Sequence, residues 1–152
     1  MAEAQWVVFR LGTWQYAAGI SRVREILRPV QAVRMPRVAP FVRGLFNLRG
    51  QVLPLVDTKA RLGLDAFRGT ADAAGKARVI VIDAAGGSFG LMVDEVLEVL
   101  RCDDSALQAP PNLLELPAAR FVEAVLDLKG RLVFALDLDR LVEDAAEAGH
   151  AA

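Results

Sequence analysis

Short apolar runs broken by turn residues dominate this chain, and they come in two matching sets. Trp6–Leu11 (WVVFRL) and Val79–Ile82 (VIVI) are β-branched and aromatic stretches bounded by turn residues, the pattern of strands covered on both faces. Gly12-Thr13 and Gly86-Gly87 predict hairpin turns into a following strand in each set. Phe41–Leu48 and Val52–Val56 read as paired strands around Arg49-Gly50-Gln51, and Phe121–Leu128 with Leu132–Leu136 repeat the pattern around Lys129-Gly130-Arg131. A glycine in each turn supplies positive φ. Ile20–Leu27 and Val93–Leu100 are ambiguous by period, since positions 93, 96, 97 and 100 also form a helical stripe. Their β-branched content and their place after a hairpin favour strands carrying a bulge. Pro54 lacks a ladder donor, which predicts an edge strand or a bulge there. Asp57-Thr58 predicts the cap of a short helix ending at Gly63, and Asp137 the cap of a longer C-terminal helix through Arg140, Leu141 and Val142.

The two sets align residue by residue. Gly19–Arg28 (GISRVREILR) matches Met92–Arg101 (MVDEVLEVLR), with Val23/Val96, Glu25/Glu98, Leu27/Leu100 and Arg28/Arg101 identical. Phe41–Asp57 matches Phe121–Asp137, with Phe41/Phe121, Val42/Val122, Leu48/Leu128, Gly50/Gly130 and Asp57/Asp137 identical. Two windows in the same order, each keeping its apolar periodicity, indicate an internal duplication. The expected fold is mainly β, in two related halves of about residues 5–66 and 78–143. The Gly-, Ala- and charge-rich stretch 67–77 reads as a flexible connector, and residues 144–152 as a frayed tail. A second connector, Asp103–Ala119, sets Pro110-Pro111 before Leu113, Leu114 and Leu116. Those leucines either pack under the loop or meet a partner.

Composition removes most chemistry. One Cys and one His among 152 residues leave no internal disulfide and no Cys/His metal site. His150 lies in the tail, and the acids beside Cys102 disfavour its thiolate. Gly86–Gly90 has no lysine and no following helix to make a phosphate loop. Neither a catalytic set nor a cofactor is expected. Eighteen basic and nineteen acidic residues, interspersed, argue against a phosphate-binding face, with only Arg34, Arg37 and Arg43 clustering. The N-terminus carries an acid rather than positive charge, and no apolar run nears the ~20 residues of a membrane span. A cytoplasmic protein that meets membranes only through partners is expected.

Two charged residues stand among apolar neighbours: Glu25 in VREIL and Arg49 in FNLRGQVLP. A charge buried alone costs several kcal/mol. Either the two pair across the first half, or the acid sits on an exposed strand edge and the base at a solvated hairpin tip.

The run WVVFRLG, then VREIL, then PFVRGLFNLRGQVLPLVD resembles the CheW family of bacterial chemosensory coupling proteins, and Gly90, VDEV and LDLDRLV agree in the second half. The resemblance covers about Gln5 to Glu143, as a coupling protein rather than a kinase fragment. It implies two SH3-like five-stranded β-barrels with short helices around a shared hydrophobic seam, with exchange of terminal strands between them. It further implies a non-enzymatic adaptor joining a chemoreceptor's cytoplasmic tip to the regulatory domain of a CheA-type histidine kinase, in arrays at the inner membrane. By position, Glu25 and Arg49 match the family's paired acid and arginine, Gly44 a glycine preceding that arginine, and Val23 an apolar receptor contact. Ile20 and Val96 are expected to line the same groove. Where glycines are usual, Ala17 and Ala124 stand here, so their backbone must avoid positive φ. Subfamilies serving twitching, gliding or other outputs share these motifs. A nucleic-acid-binding pair of small barrels is a remote alternative.

Overall fold

The computed structural model describes residues 3–64, 75–109 and 117–145. Two sheets account for the strands. The first contains β1 (Glu3–Leu11), β2 (Trp14–Gly19), β8 (Glu95–Asp103), β9 (Leu107–Gln108), β10 (Val122–Leu128) and β11 (Arg131–Leu136), in the order β8-β1-β2-β11-β10-β9. The second contains β3 (Val23–Leu27), β4 (Val42–Leu48), β5 (Gln51–Asp57), β6 (Arg78–Ala84) and β7 (Gly87–Val93), in the order β3-β6-β7-β5-β4. The first sheet thus exceeds the expected five strands by the two-residue β9.

The halves of the sequence exchange their opening hairpins. β1-β2 completes the sheet of β8–β11, and β6-β7 that of β3–β5. Each hairpin is joined on both sides, by an antiparallel ladder of β1 with β8 or β6 with β3 and by a parallel one that sets Ala135 beside Ala17 or Leu55 beside Gly90. A carboxylate from elsewhere in the chain holds each hairpin turn: Asp94 accepts from Gly12 N at 2.7 Å, and Asp139 from Ala85 N at 2.8 Å. The second turn is therefore Ala85-Gly86, at φ 48° and 80°, one residue ahead of the expected Gly86-Gly87.

The duplication extends to irregularities. The β3–β6 register shifts between Val23 and Glu25, and the β1–β8 register shifts opposite Val96 and Glu98, so the predicted bulge occurs at the same place in both halves. β4–β5 and β10–β11 likewise slip at Arg43 and Glu123. Asp57 and Asp137 cap four-residue helices, α1 (Thr58–Arg61) and α2 (Leu138–Leu141), by accepting from Ala60 N at 3.0 Å and Arg140 N at 3.1 Å. The second helix is no longer than the first, contrary to expectation: the chain leaves it at Val142, where α1 ends at Leu62. Pro54 sits in a central strand rather than at an edge. Leu45 opposite it exchanges both backbone hydrogen bonds with Val33, at 2.8 and 2.9 Å, so Leu45–Pro54 is a non-hydrogen-bonded pair. The β5–β7 ladder begins only at Leu55, and the missing N–H costs nothing.

Both faces of β1 and β6 are covered over Trp6–Phe9 and Val79–Ile82, as their apolar runs require. Trp6 and Val8 of β1 point into one barrel with Leu126 and Val133, while Phe46, Leu53, Leu55, Val79 and Val81 fill the other. Val7, Phe9, Leu11, Phe41, Phe89 and Phe121 belong to a third and larger core shared between the sheets. Each barrel closes when the chain following an outer strand folds onto the opposite edge: Val33 against Leu45, and β9 against Val125 and Leu126. The remaining expectations for 67–74, 110–116 and 146–152, including the leucines after Pro111 and His150, lie outside the described residues.

Candidate functional site

Glu25 lies on β3 and Arg49 in the β4–β5 turn, at the two outer strands of one sheet. Arg49 and Gly50 have φ of 49° and 89°, the doubly left-handed turn that suits a tight hairpin, and Asn47 Oδ1 accepts from Gly50 N at 2.9 Å. This turn aims the guanidinium back at β3. Arg49 Nη1 donates to Glu25 Oε1 at 3.0 Å, and Nη2 donates to Oε2, a two-pronged contact. The Arg49 hydrogen bond holds the Glu25 carboxyl below the usual carboxylate range. The arginine side chain is 67% exposed and the acid 25%, so both sequence alternatives contain part of the answer: the charges pair, and they do so at the surface. Beside them Arg24 Nη1 donates to Gln51 Oε1 at 3.1 Å and to Ser88 Oγ at 2.9 Å.

The other barrel has a comparable clasp. Glu98, the counterpart of Glu25, takes a 2.9 Å contact from Arg131, which also donates to Gln15 Oε1 at 2.7 Å. The counterpart of Arg49, Lys129, is replaced in this role by an arginine two positions on.

Three apolar side chains of the same barrel stand in the open. Ile26 on β3 is 42% exposed, Val52 at the start of β5 59%, and Val33 71%. Sequence reading missed all three. For Ile26 the signal is the inward alternation Val23, Glu25, Leu27, which sends it outward with Arg24.

Gly44 is buried, with φ 149°, and a Cβ there would lie 2.3 Å from Val33 O. It lets the 33–34 backbone lie close against β4, where Val33 pairs with Leu45. Ala17 and Ala124 are absent from the positive-φ residues, as their side chains require. Val23 and Val96 are half-buried against the shared core, one on each sheet. Ile20, in the 3₁₀ turn Ile20–Arg22 where the chain crosses between barrels, lines an open cleft of about 450 Å³ with Trp6, Leu136, Leu138 and Glu123. Neither Val23 nor Val96 is among that cleft's lining residues. Its rim is acidic apart from Arg22, which pairs with Asp139. Burial first, and then the charge of Asp137, raise the Glu123 carboxyl above its ordinary range.

No group of three or more His, Cys, Asp or Glu among the described residues could hold a metal ion, and no described helix is long and apolar enough to cross a membrane. A family model, the CheW-like domain, matches residues 5–146. The chain belongs to the CheW-like family. Chemotaxis protein CheW of Rhizobium meliloti (strain 1021) is 35% identical over 133 residues, covering 88% of this chain and 83% of that protein. Protein PilI of Pseudomonas aeruginosa is 30% identical over 119 residues, covering 77% of this chain and 64% of its own. Among solved structures, scaffolding protein TtCheW from Thermoanaerobacter tengcongensis superposes with a TM-score of 0.83 at 30% identity, covering 93% of this chain and 94% of that one. The CheW-like assignment agrees with the two packed β subdomains of this chain.

Proposed function

We propose that this protein is a non-enzymatic adaptor that couples chemoreceptors to a CheA-type histidine kinase in a chemosensory array. The observation that carries the reading is the CheW-like match over residues 5–146, together with the scaffolding protein that shares its fold. The physical support is the division of the surface into two docking features. On the barrel that carries the Glu25–Arg49 clasp, Ile26, Val52 and Val33 are exposed apolar side chains among charged and polar ones, the mixture found in protein interfaces. A kinase regulatory domain built of similar barrels would pack there. At the crossover, Ile20 and its cleft, with Val23 and Val96 on the adjoining core, suit the apolar stripe of a receptor's helical hairpin. Gly44 and the clasp hold the first surface in shape. The protein acts in the cytoplasm and reaches the inner membrane through receptors, without binding nucleic acid. Modest single affinities suffice, because an array multiplies them.

The likeness to Protein PilI keeps a non-flagellar pathway as the second reading. Affinity capture from the native cell, with the full chain as bait, tests both. Recovery of a CheA-type kinase and methyl-accepting receptors supports the adaptor, and the identity of those partners assigns the output. Recovery of neither overturns it.

A further inference from the structure

We propose that the loop between β3 and β4 is a docking site for an acidic segment of a protein partner, anchored by an apolar side chain. From Ile26 to Val56 the chain has no Asp or Glu, but it has five arginines: 28, 34, 37, 43 and 49. Arg49 is held by Glu25, and Arg43 lies 4.0 Å from Asp57. Arg28, Arg34 and Arg37 are exposed and have no carboxylate, carbonyl or ring partner among the described residues. Most other described arginines are engaged: Arg10 and Arg22 by carboxylates, Arg61 by carbonyls and rings, Arg131 by Glu98. Arg101 and Lys129, on the other barrel, also lack such a partner among the described residues, so three of these five unmet positive charges stand on one loop.

That loop also frames a cleft of about 390 Å³, walled by Arg34, Met35, Val38, Val42 and Arg43. Pro36 and Pro40 stiffen it, and Arg37 is held at φ 63°, so little ordering is left to be paid on binding. Carboxylates would meet the guanidinium forks of Arg34 and Arg37, and one aliphatic side chain would enter beside Met35 and Val38. A phosphate backbone fits less well. The loop has no exposed aromatic ring for base stacking, and the matching stretch of the other barrel carries Asp103, so the positive strip does not continue. Val33 of this loop also belongs to the patch assigned above to the kinase, but Arg34, Met35, Arg37 and Val38 do not, and substituting the two arginines tests this site separately from the adaptor reading.

The test uses the full chain, ¹⁵N-labelled, titrated with a synthetic peptide of alternating Glu and Leu. Parallel titrations use the same peptide with Lys for Glu, anionic phosphatidylglycerol vesicles, and oligothymidylate. We expect amide shifts centred on residues 33–43, no response to the lysine peptide, and binding at least about tenfold weaker in R34E/R37E. R34Q/R37Q, which adds no negative charge, should weaken binding in the same direction, and both variants should melt like the parent because the side chains are exposed. Shifts elsewhere, unchanged affinity in both variants, or tighter arginine-dependent binding of vesicles or oligonucleotide would overturn the proposal.

Discussion

Arg49 reaches across the gap between the two outer strands of one sheet to grip Glu25, so a single ion pair ties the edges of the first barrel at its surface. The arrangement separates two quantities that a buried pair would join. Both groups are solvated enough that folding gains little from them, yet together they pin the β4–β5 turn to β3, next in the chain to the exposed Ile26 and three residues from the exposed Val52.

Arg49→Gly exploits this. Glycine relieves the left-handed backbone at φ 49° while removing the guanidinium. The melting temperature should hold or rise, whereas affinity for a kinase regulatory domain, measured by calorimetry, should fall. Arg49→Ala should lose binding as well, with a slightly lower melting temperature than the glycine variant. Glu25 gives the matching pH dependence. Its folded carboxyl is depressed, so its contribution is present above the ordinary glutamate range and is lost as pH falls through the depressed value.

The two barrels solve one packing problem with different residues. Gly90 lies under Phe46, where a Cβ would come within 2.7 Å of the ring, while at the matching place Ala17 packs with the smaller Leu126. Gly90→Ala should cost about 1–3 kcal/mol by overpacking. Phe46→Leu alone should cost about 1 kcal/mol by opening a cavity. The double variant, which imitates the other barrel, should be more stable than the sum of the singles, as a denaturation cycle would show.

Arg61 occupies the centre of the seam. Its guanidinium carbon sits 4.2 Å from the Phe41 ring centroid and 4.8 Å from that of Phe121, the same residue of each half. Nε donates to Leu141 O at 2.8 Å and Nη2 to Glu143 O at 3.1 Å. Desolvation lowers its affinity for its proton, but not enough to discharge it. Arg61→Lys keeps the charge and loses the planar fork, and should destabilise the fold by about 1–3 kcal/mol in chemical denaturation. A change within error would mean that the rings alone hold the seam.

Glu123 faces the Ile20 cleft, with Asp137 and Asp139 adding to its burden and Arg22 easing it. A carboxyl raised in the folded state contributes stability below the ordinary glutamate range and loses it as pH rises through the raised value. Glu123→Gln should therefore raise the melting temperature at neutral pH, by an effect below about 1 kcal/mol given its solvent-exposed face, and the gain should vanish at about pH 3.5. An equal gain at both values would refute this assignment.

Much of this molecule was legible in the amino-acid order, for reasons of period and punctuation. The strands carry β-branched runs, the Asn-Leu-Arg-Gly and Asp-Leu-Lys-Gly turns hold their glycines at φ 89° and 93°, and the paired aspartates cap paired helices. The hairpin exchange could not be read from the strands themselves, because β1-β2 and β6-β7 have the same period and either would satisfy either sheet locally. Which barrel each joins is decided by long-range ladders such as Leu55–Gly90. Ile26 escaped notice because an apolar residue in an apolar run reads as core until the strand is known to be an edge, and Val52 because it opens β5 ahead of the ladder with β7, which begins only at Leu55.

The most direct test of the coupling claim is reconstitution from purified parts. A receptor cytoplasmic fragment assembled on vesicles is sedimented with a CheA-type kinase, with and without this chain. The kinase should pellet with receptor, and respond to it, only when the chain is present, and Arg49→Gly should weaken that dependence. Equal recovery and control of the kinase without the chain, or a chain that pellets with neither partner, would contradict the account.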